Sequence, residues 1–422
     1  MTRNFRRATG VPARIRRFRP VAIVAVAAMM LAACGGDGGG GGGTGDASEV
    51  DSVRLGAILP LTGATAQNGN NSRKGIELAV ETINADGGIK SLDGAKIELD
   101  VADATSDPAR AASAATQFLT RGEPPLAIVG AYASGLTVTV ARVTERRKVP
   151  ILTTSFSDEL TSQGYKFLFQ LPAPASEVGK AQMGYATEIA KDAGVDLKNA
   201  AIVYANNAYG ESQAKGLRDQ ADELGINVAL YEGYSPTISD ATPVARKILS
   251  SNPDVIFAVS YVNDGVLLMR ALRSQNNTVP VIGGVGGFIT PDFQKSLGDA
   301  VNGVLSVDTS DPDKYGELGA AYQEKYGEFM PQEAHDNAAA VYVFAQALEQ
   351  NPTTEPEELA DAIREGTFDA GAAGSMPGGQ VDFDETGKNT NAAPLMVQWQ
   401  EGKLVGVWPP DIAENKPQWE TE

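Results

Sequence analysis

The sequence of 422 residues contains one cysteine and one histidine. A single cysteine excludes an intrachain disulfide and a cysteine-rich zinc site, and a single histidine excludes an HExxH-type metal site. Positive charge is also scarce, because 35 Lys and Arg face 53 Asp and Glu and the formal net charge is −18. Binding nucleic acid requires a basic surface that displaces counterions, so nucleic acid is not an expected partner. The length predicts two to three domains with a substantial core.

The N-terminus lacks an apolar run long enough to stay in a membrane as a helix. Residues 21–33 are apolar, but thirteen helical residues reach about 20 Å, whereas the hydrocarbon core measures about 30 Å. Seven of the 35 basic residues lie within residues 1–33, and no acidic residue lies there. A basic stretch followed by a short apolar run predicts a secretory signal at residues 1–33.

The signal ends in Leu31-Ala32-Ala33-Cys34-Gly35, which resembles the bacterial lipobox. This match predicts that Cys34 carries a lipid and becomes the mature N-terminus; a buried core cysteine is the alternative, but no core adjoins a glycine tract. Two acyl chains suffice for stable membrane anchoring. Residues 34–51 are mostly glycine and polar residues that cannot bury apolar surface, which predicts a flexible tether. The pair Arg16-Arg17 leaves open both general secretion and twin-arginine export.

From residue 52, short apolar runs alternate with amphipathic helices. Ile76, Ala79, Val80 and Ile83 form a helical stripe between two predicted strands. Repeated strand–helix alternation implies a parallel sheet covered by helices on both faces. The alternation starts again near residue 178, so the pattern predicts two α/β lobes in series. Asp264 is predicted to cap the helix that follows one of the later strands.

Several short motifs follow one another along the chain. The first is Leu59-Pro60-Leu61-Thr62-Gly63, the second runs from Asn84 to Ile89, and a third is Tyr209-Gly210 before a helix. Taken in this order, they resemble type I periplasmic binding proteins of the leucine/isoleucine/valine-binding group. The resemblance covers about residues 52–410. Proteins of this group deliver small-molecule ligands to the permease of an ABC importer, and a lipid-anchored monomer facing the periplasm or cell exterior is the expected form here.

The resemblance implies two Rossmann-like lobes with parallel sheets, joined by a hinge of three chain crossings. The expected bounds are 52–170 plus 307–393 for lobe 1 and 171–306 plus 394–422 for lobe 2. A ligand would lie between the lobes, at the carboxyl ends of the strands, and hinge closure would bury it.

The resemblance also assigns ligand contacts by position. The turn around Ser134 opens a helix, and a helix N-terminus offers unpaired N–H donors to a carboxylate. Aromatic residues on lobe 2 would close over an apolar body with little loss of entropy. The expected ligand-binding residues are Asn68, Tyr132, Ala133, Ser134, Thr154, Ser155, Phe156, Tyr209, Tyr261 and Val285.

One departure from the group concerns the acid that pairs with the ammonium of an amino acid. The corresponding segment, residues 283–288, reads Gly-Gly-Val-Gly-Gly-Phe and has no carboxylate. Burying an unpaired ammonium costs several kcal/mol. Either another acid, such as Asp158, Asp264 or Asp308, replaces it, or the ligand is a carboxylate with an apolar or aromatic body and no ammonium.

Signatures of catalysis are missing. The sequence has neither a GxSxG elbow nor a GxxxxGK[ST] phosphate loop, and His335 is expected on the surface of an Ala-rich helix. No catalytic residue, cofactor or metal is therefore expected. The function expected is solute capture for an ABC importer; the alternative is a ligand-sensing lipoprotein of the same fold that signals to a membrane partner.

Overall fold

The computed structural model describes residues 50–419, so the predicted signal, Cys34 and most of the tether lie outside the described residues. The strands are β1 (Ser52–Leu59), β2 (Lys96–Asp103), β3 (Ala127–Gly130), β4 (Ile151–Thr153), β5 (Leu168–Gln170), β6 (Asn199–Ala205), β7 (Asn227–Tyr234), β8 (Val255–Val259), β9 (Val281–Gly283), β10 (Leu305–Asp308), β11 (Thr367–Phe368), β12 (Val381–Asp382), β13 (Leu395–Gln400) and β14 (Lys403–Trp408). The helices are α1 (Ala66–Ala85), α2 (Pro108–Phe118), α3 (Ser134–Arg147), α4 (Glu159–Ser162), α5 (Ala175–Asp192), α6 (Ala208–Leu224), α7 (Thr242–Ser250), α8 (Val262–Ser274), α9 (Pro291–Leu297), α10 (Gly316–Tyr326), α11 (Gln332–Gln350) and α12 (Pro356–Glu365).

Lobe 1 is built on a five-stranded parallel sheet in the order β2-β1-β3-β4-β5. Side chains alternate between the faces of a strand, so β1 serves two cores. Leu55 and Leu59 pack with α1 and α11 on one face, whereas Ile58 packs with α2 and α3 on the other. Both faces are therefore buried, as the near-continuous apolar strands predict.

Lobe 2 is built on a seven-stranded sheet in the order β14-β13-β10-β9-β8-β6-β7. The strands from β6 to β10 run parallel, and β13 and β14 add an antiparallel edge. On one face of the sheet, Ile202 and Phe257 pack against helices α5 and α6. On the other face, Val203 and Ile256 pack against α7, α8 and α9. None of the helices in residues 50–419 is both long and apolar enough to cross a membrane.

The chain passes between the two sheets three times. It leaves lobe 1 after β5, returns after β10, and leaves again between β12 and β13. The two-lobe α/β fold predicted from the sequence is confirmed, while the exact lobe bounds stay predictions. Each lobe is assembled from segments distant in the sequence, and the crossings bring β-strand ends from both sheets to one cleft.

The predicted surface position of His335 is wrong. Its side chain is fully buried, and its ring stacks on Tyr315 with centroids 4.2 Å apart. Its Nε2 lies 2.7 Å from the Ser375 hydroxyl. The chain segment that follows β10 covers the first turn of α11. This turn is polar and resembles a solvent-facing helix start in the sequence, but it is buried in the structure.

Candidate ligand-binding site between the lobes

The turn between β3 and α3 forms the lobe 1 wall of the cleft. Tyr132 has a φ of 63°, a left-handed conformation that bulky residues rarely adopt. The Ser155 hydroxyl donates to the Tyr132 carbonyl at 2.6 Å and lies 2.5 Å from the Thr137 hydroxyl, and all three residues are buried. Hydrogen bonds from the next loop thus hold the strained turn in place.

Ser134 joins this turn to the loop after β4. Its Oγ accepts hydrogen bonds from the backbone N–H groups of Phe156, at 3.2 Å, and Ser157, at 3.1 Å. Because both bonds occupy the oxygen as acceptor, the hydroxyl hydrogen remains available to an outside acceptor. The backbone N–H groups of Ser134 and Gly135 also find no acceptor within residues 50–419. Unpaired donors at a helix N-terminus form an anion-binding site.

Four aromatic rings surround Ser134. Ring centroids lie 6.5 Å apart for Tyr132 and Tyr261, 5.4 Å apart for Tyr209 and Tyr261, and 6.1 Å apart for Phe156 and Tyr209. These rings, with Ser134 and Val285, enclose a cavity of about 10 Å³, called the small cavity below. This is roughly the space that one water needs. A larger solute requires the rings or the lobes to move apart.

A cavity of about 220 Å³, called the large cavity below, adjoins the small one and shares Tyr261 with it. Lobe 1 contributes Ala133 and Gly135 at the start of α3, and lobe 2 contributes Asp264. The remaining lining residues are Ala64, Thr65, Ser106, Pro108, Leu136, Asn207, Pro236, Thr237 and Asn263. Both cavities therefore open on the N-terminal turn of α3.

Asp264 does not cap α8, which corrects the sequence prediction. The cap position is Tyr261, and Asp264 lies inside the first turn with its side chain buried. Its Oδ2 accepts a hydrogen bond from the Tyr234 hydroxyl at 2.8 Å, whereas its Oδ1 has no partner within the described chain. Burial raises the pKa of Asp264 to about 7, against the opposing effect of the Tyr234 hydrogen bond.

The glycine-rich segment after β9 lies directly under two tyrosines. A Cβ at Gly284 would meet the Tyr209 hydroxyl at 2.8 Å, and one at Gly286 would meet the Tyr132 hydroxyl at 2.8 Å. Gly286 also has a φ of 86°, which favours glycine. The Tyr209 hydroxyl donates to the Val285 carbonyl at 2.6 Å. The segment therefore offers backbone, rather than a carboxylate, to the rings of the cleft.

Two of the acids considered as replacements serve the backbone instead. Asp158 Oδ1 accepts from the Ser176 N–H at 3.1 Å, near the start of α5. Asp308 is buried at the end of β10, and its Oδ1 accepts from the N–H of Thr309 and of Ser310. Burial raises the pKa of Asp308 well above its ordinary value. Neither residue lines the small or the large cavity.

Glu333, in the first turn of α11, was missed by the sequence reasoning. Its Oε1 accepts from the side-chain amides of Asn68 and Asn71, each at 3.0 Å, while Oε2 has no partner within the described residues. Asn68 also donates to the Gly286 carbonyl at 3.2 Å, so it bridges the lobes. Burial raises the pKa of Glu333 to about 7. No sequence signal distinguished this acid from a solvated helix start.

The structure brings six of the ten predicted contacts together around the small cavity: Tyr132, Ser134, Phe156, Tyr209, Tyr261 and Val285. Ala133 lines the large cavity. The other three, Asn68, Thr154 and Ser155, line neither cavity. The Thr154 hydroxyl accepts from the side-chain amide of Asn337 at 3.1 Å, so it ties the loop after β4 to α11. Within residues 50–419 no group of three or more His, Cys, Asp or Glu is arranged for a metal ion.

Comparisons with known proteins agree with this geometry. The family model described as "Periplasmic binding protein" matches residues 52–403. The Leu/Ile/Val-binding protein homolog 8 of Brucella suis is 30% identical over 388 residues, which cover 88% of this chain and 94% of that protein.

Two solved structures share the fold. One is a branched-chain amino acid transporter substrate binding protein from Streptococcus pneumoniae in complex with isoleucine, with a TM-score of 0.74, 24% identity, and coverage of 85% of this chain and 100% of that chain. The other is an ABC transporter solute binding protein from R. palustris in complex with benzoate, with a TM-score of 0.73, 18% identity, and coverage of 84% and 95%. With a two-lobe fold, a cleft at the strand ends and a family match over most of its length, the chain belongs to the periplasmic binding protein family.

Proposed function

We propose that this protein captures a small carboxylate-bearing solute between its lobes and delivers it to an ABC importer. Family membership supports solute binding outside the cytoplasm, and the two solved structures named above are binding proteins of transporters. The main support for a carboxylate group comes from the start of α3. The Ser134 hydroxyl and the N–H groups of Ser134 and Gly135 converge there without an acceptor within residues 50–419. A carboxylate satisfies all three donors and the positive end of the helix dipole.

The body of the solute is proposed to be apolar or aromatic. Four aromatic rings and Val285 line the small cavity with Ser134. These groups bind the apolar surface of a solute and offer no partner for a charge. No acid lies in the segment after β9, and Asp158 and Asp308 are engaged with backbone N–H groups. The structural relatives bind isoleucine in one case and benzoate in the other, so the fold admits both an amino acid and a simple aromatic acid.

Calorimetry with matched ligand pairs tests this choice. The pairs are 4-methylpentanoate against leucine and 3-phenylpropanoate against phenylalanine, which differ in the ammonium group. The proposal predicts tighter binding of the acid that lacks the ammonium in each pair. Tighter binding of the amino acid in every pair would show that the ammonium has a partner and would contradict the proposed ligand class.

A backbone substitution tests the carboxylate position. Gly135→Pro removes one free N–H at the second residue of α3, and the unfolding temperature checks that the variant keeps its fold. Gly135→Ala is the matched control, because a Cβ there meets nothing within 4 Å. Loss of a hydrogen bond to a charged group should weaken carboxylate binding by about 1.5–3 kcal/mol in the proline variant only. Equal binding by both variants would place the carboxylate elsewhere.

Membrane attachment through Cys34 is part of the same proposal. The lipobox-like sequence supports it, although Cys34 lies outside the described residues. Cys34→Ser should release the protein from the membrane fraction and abolish incorporation of radioactive fatty acid. Labelling that persists in this variant would contradict the lipid anchor.

A further inference from the structure

Asp264 is a buried carboxylate, and the fold supplies a hydrogen-bond partner for one of its two oxygens. Its side chain is 1% exposed and lines the large cavity. Oδ2 is satisfied by the Tyr234 hydroxyl, and that hydroxyl also lies 2.5 Å from the Ser260 hydroxyl. Oδ1 has no hydrogen-bond partner within the described chain. A buried polar atom without a partner costs roughly 1–3 kcal/mol, so such atoms call for an explanation.

Apart from the Tyr261 hydroxyl, the other polar side chains that line the large cavity each make at least one hydrogen bond. The hydroxyls of Thr65 and Ser106 lie 3.1 Å apart, and Ser106 also donates to the Thr62 carbonyl. The Asn263 amide donates to the Ala64 carbonyl at 3.2 Å, across the cleft. Asn207 accepts from the Gly210 N–H, and Thr237 lies 3.0 Å from the Ser235 hydroxyl. Asp264 Oδ1 is thus the fully buried acceptor of this cavity that has no partner within the described chain.

The opposite wall of the large cavity offers a hydrogen-bond donor where Asp264 offers an acceptor. Ala133, Gly135 and Leu136 belong to the start of α3, where the Gly135 N–H has no acceptor within residues 50–419. The cavity therefore has hydrogen-bond donors with a positive helix end on lobe 1 and a carboxylate on lobe 2. A molecule that spans it must present an acceptor to one wall and a donor to the other.

We propose that Asp264 accepts a hydrogen bond from the bound solute, so that the preferred solute is a carboxylic acid carrying a hydroxyl or ammonium group remote from its carboxylate. This inference rests on the proposed function, because it takes the carboxylate to lie at the start of α3. The remote group reaches Asp264 past Tyr261, which lines both cavities. Its position differs from that of the α-ammonium of an amino acid, for which the segment after β9 has no acid.

Calorimetry with three para-substituted acids tests the assignment on the full mature chain. The probes are benzoate, 4-hydroxybenzoate and 4-methoxybenzoate, and the last keeps the bulk and the oxygen of the hydroxyl but cannot donate. At pH 8, where Asp264 with its pKa of about 7 is mostly ionised, we expect 4-hydroxybenzoate to bind at least about tenfold more tightly than 4-methoxybenzoate. This factor corresponds to one good hydrogen bond to a charged group. A 4-(aminomethyl)benzoate probe should show the same preference over 4-methoxybenzoate.

Asp264→Asn should reduce this preference to within about threefold while binding of benzoate itself changes little. Asparagine can still accept from the Tyr234 hydroxyl, and the unfolding temperature checks that the variant is folded. Glu223→Gln, which neutralises an exposed carboxylate on α6, is the control and should keep the preference.

The outcomes separate the two proposals. Equal binding of the hydroxy and methoxy acids by the unsubstituted protein overturns the Asp264 assignment even if the variant does not fold. A preference that persists in Asp264→Asn also overturns it and leaves the proposed function intact. Failure of every carboxylate to bind overturns the proposed function together with this inference.

Discussion

The two walls of the cleft are built in different ways. The lobe 1 wall is a network of hydrogen bonds inside its own lobe, in which Ser134 holds the loop after β4 and Ser155 holds the Tyr132 turn. The lobe 2 wall presents the rings of Tyr209 and Tyr261 to the cleft; the Tyr209 hydroxyl bonds to the Val285 carbonyl, and the Tyr261 hydroxyl makes no hydrogen bond within the described residues.

This difference separates recognition from closure. Hydrogen bonds that pre-exist in lobe 1 fix donors before the solute arrives, so little ordering entropy is lost on binding. Aromatic rings contribute contact area that is gained only when the lobes come together. Lobe 1 should therefore determine the class of head group, and lobe 2 should determine how firmly the cleft closes on the body.

The largest effect is expected from Ser134→Ala. Losing its oxygen leaves the buried N–H groups of Phe156 and Ser157 without an acceptor, at about 1–3 kcal/mol each. The free energy of unfolding without solute should fall by about 2–5 kcal/mol, as measured by denaturant titration. Ser113→Ala, which removes an exposed hydroxyl on α2, should change it by less than about 0.5 kcal/mol. Equal stability of the two variants would show that the hydrogen bonds of Ser134 do not hold the lobe 1 wall together before a solute binds.

Glu333→Gln should change how stability depends on pH. Burial raises the pKa of Glu333 from 4.5 to about 7 in the folded protein, so the folded state binds this proton more tightly than the unfolded state. The stabilising contribution is complete below about pH 4.5 and is lost as the pH rises to 7. The variant should therefore lose less stability than the unsubstituted protein over this interval, by about 1–3 kcal/mol. The exposed Glu98→Gln is the control; identical pH profiles for Glu333→Gln and the unsubstituted protein would contradict a buried, proton-retaining carboxyl.

A smaller effect should distinguish the two tyrosines of lobe 2. The Tyr209 hydroxyl bonds to the Val285 carbonyl, whereas the Tyr261 hydroxyl makes no hydrogen bond within the described residues. Tyr209→Phe should reduce the free energy of unfolding by about 0.5–1.5 kcal/mol, and Tyr261→Phe should leave it nearly unchanged. Thermal unfolding of the two variants measures this directly. Equal losses would show that both hydroxyls stabilise the folded protein, and that the Tyr261 hydroxyl is not free to contact a solute.

Much of the fold could be predicted because apolar periodicity reports local structure. The predicted helix stripe containing Ile76 lies in α1, and the predicted restart of the alternation near residue 178 lies in α5. Helix α1 nevertheless begins at Ala66, earlier than its apolar stripe suggests, because its first turns bury the polar side chains of Asn68 and Asn71. A window of hydrophobicity cannot reveal polar residues that are buried by a distant segment.

The same limit explains the errors at the site. His335 and Glu333 lie in a polar stretch that looks solvated, yet the chain crossing after β10 and helix α1 cover it. Asp264 has the spacing of a helix cap, but Tyr234, thirty residues away, binds its carboxylate instead. Tyr132, Ser134 and Phe156 lie at the small cavity because they closely follow β3 and β4, whose ends meet at one edge of a sheet, and their contact with a solute stays a prediction.

The glycine segment after β9 limits the positions at which an acid that pairs with an ammonium group could be introduced. A side chain at Gly284 or Gly286 collides with a tyrosine hydroxyl, and one at Gly287 would meet the Ser260 carbonyl oxygen at 2.2 Å. Val285 already carries a side chain that faces the small cavity, so it is the position in this segment where an acid could be introduced. A cavity of about 10 Å³ has no room for that larger residue unless a ring shrinks as well. An acid in this segment would thus require a second substitution that makes room for it, and a single substitution should not create a partner for an ammonium group.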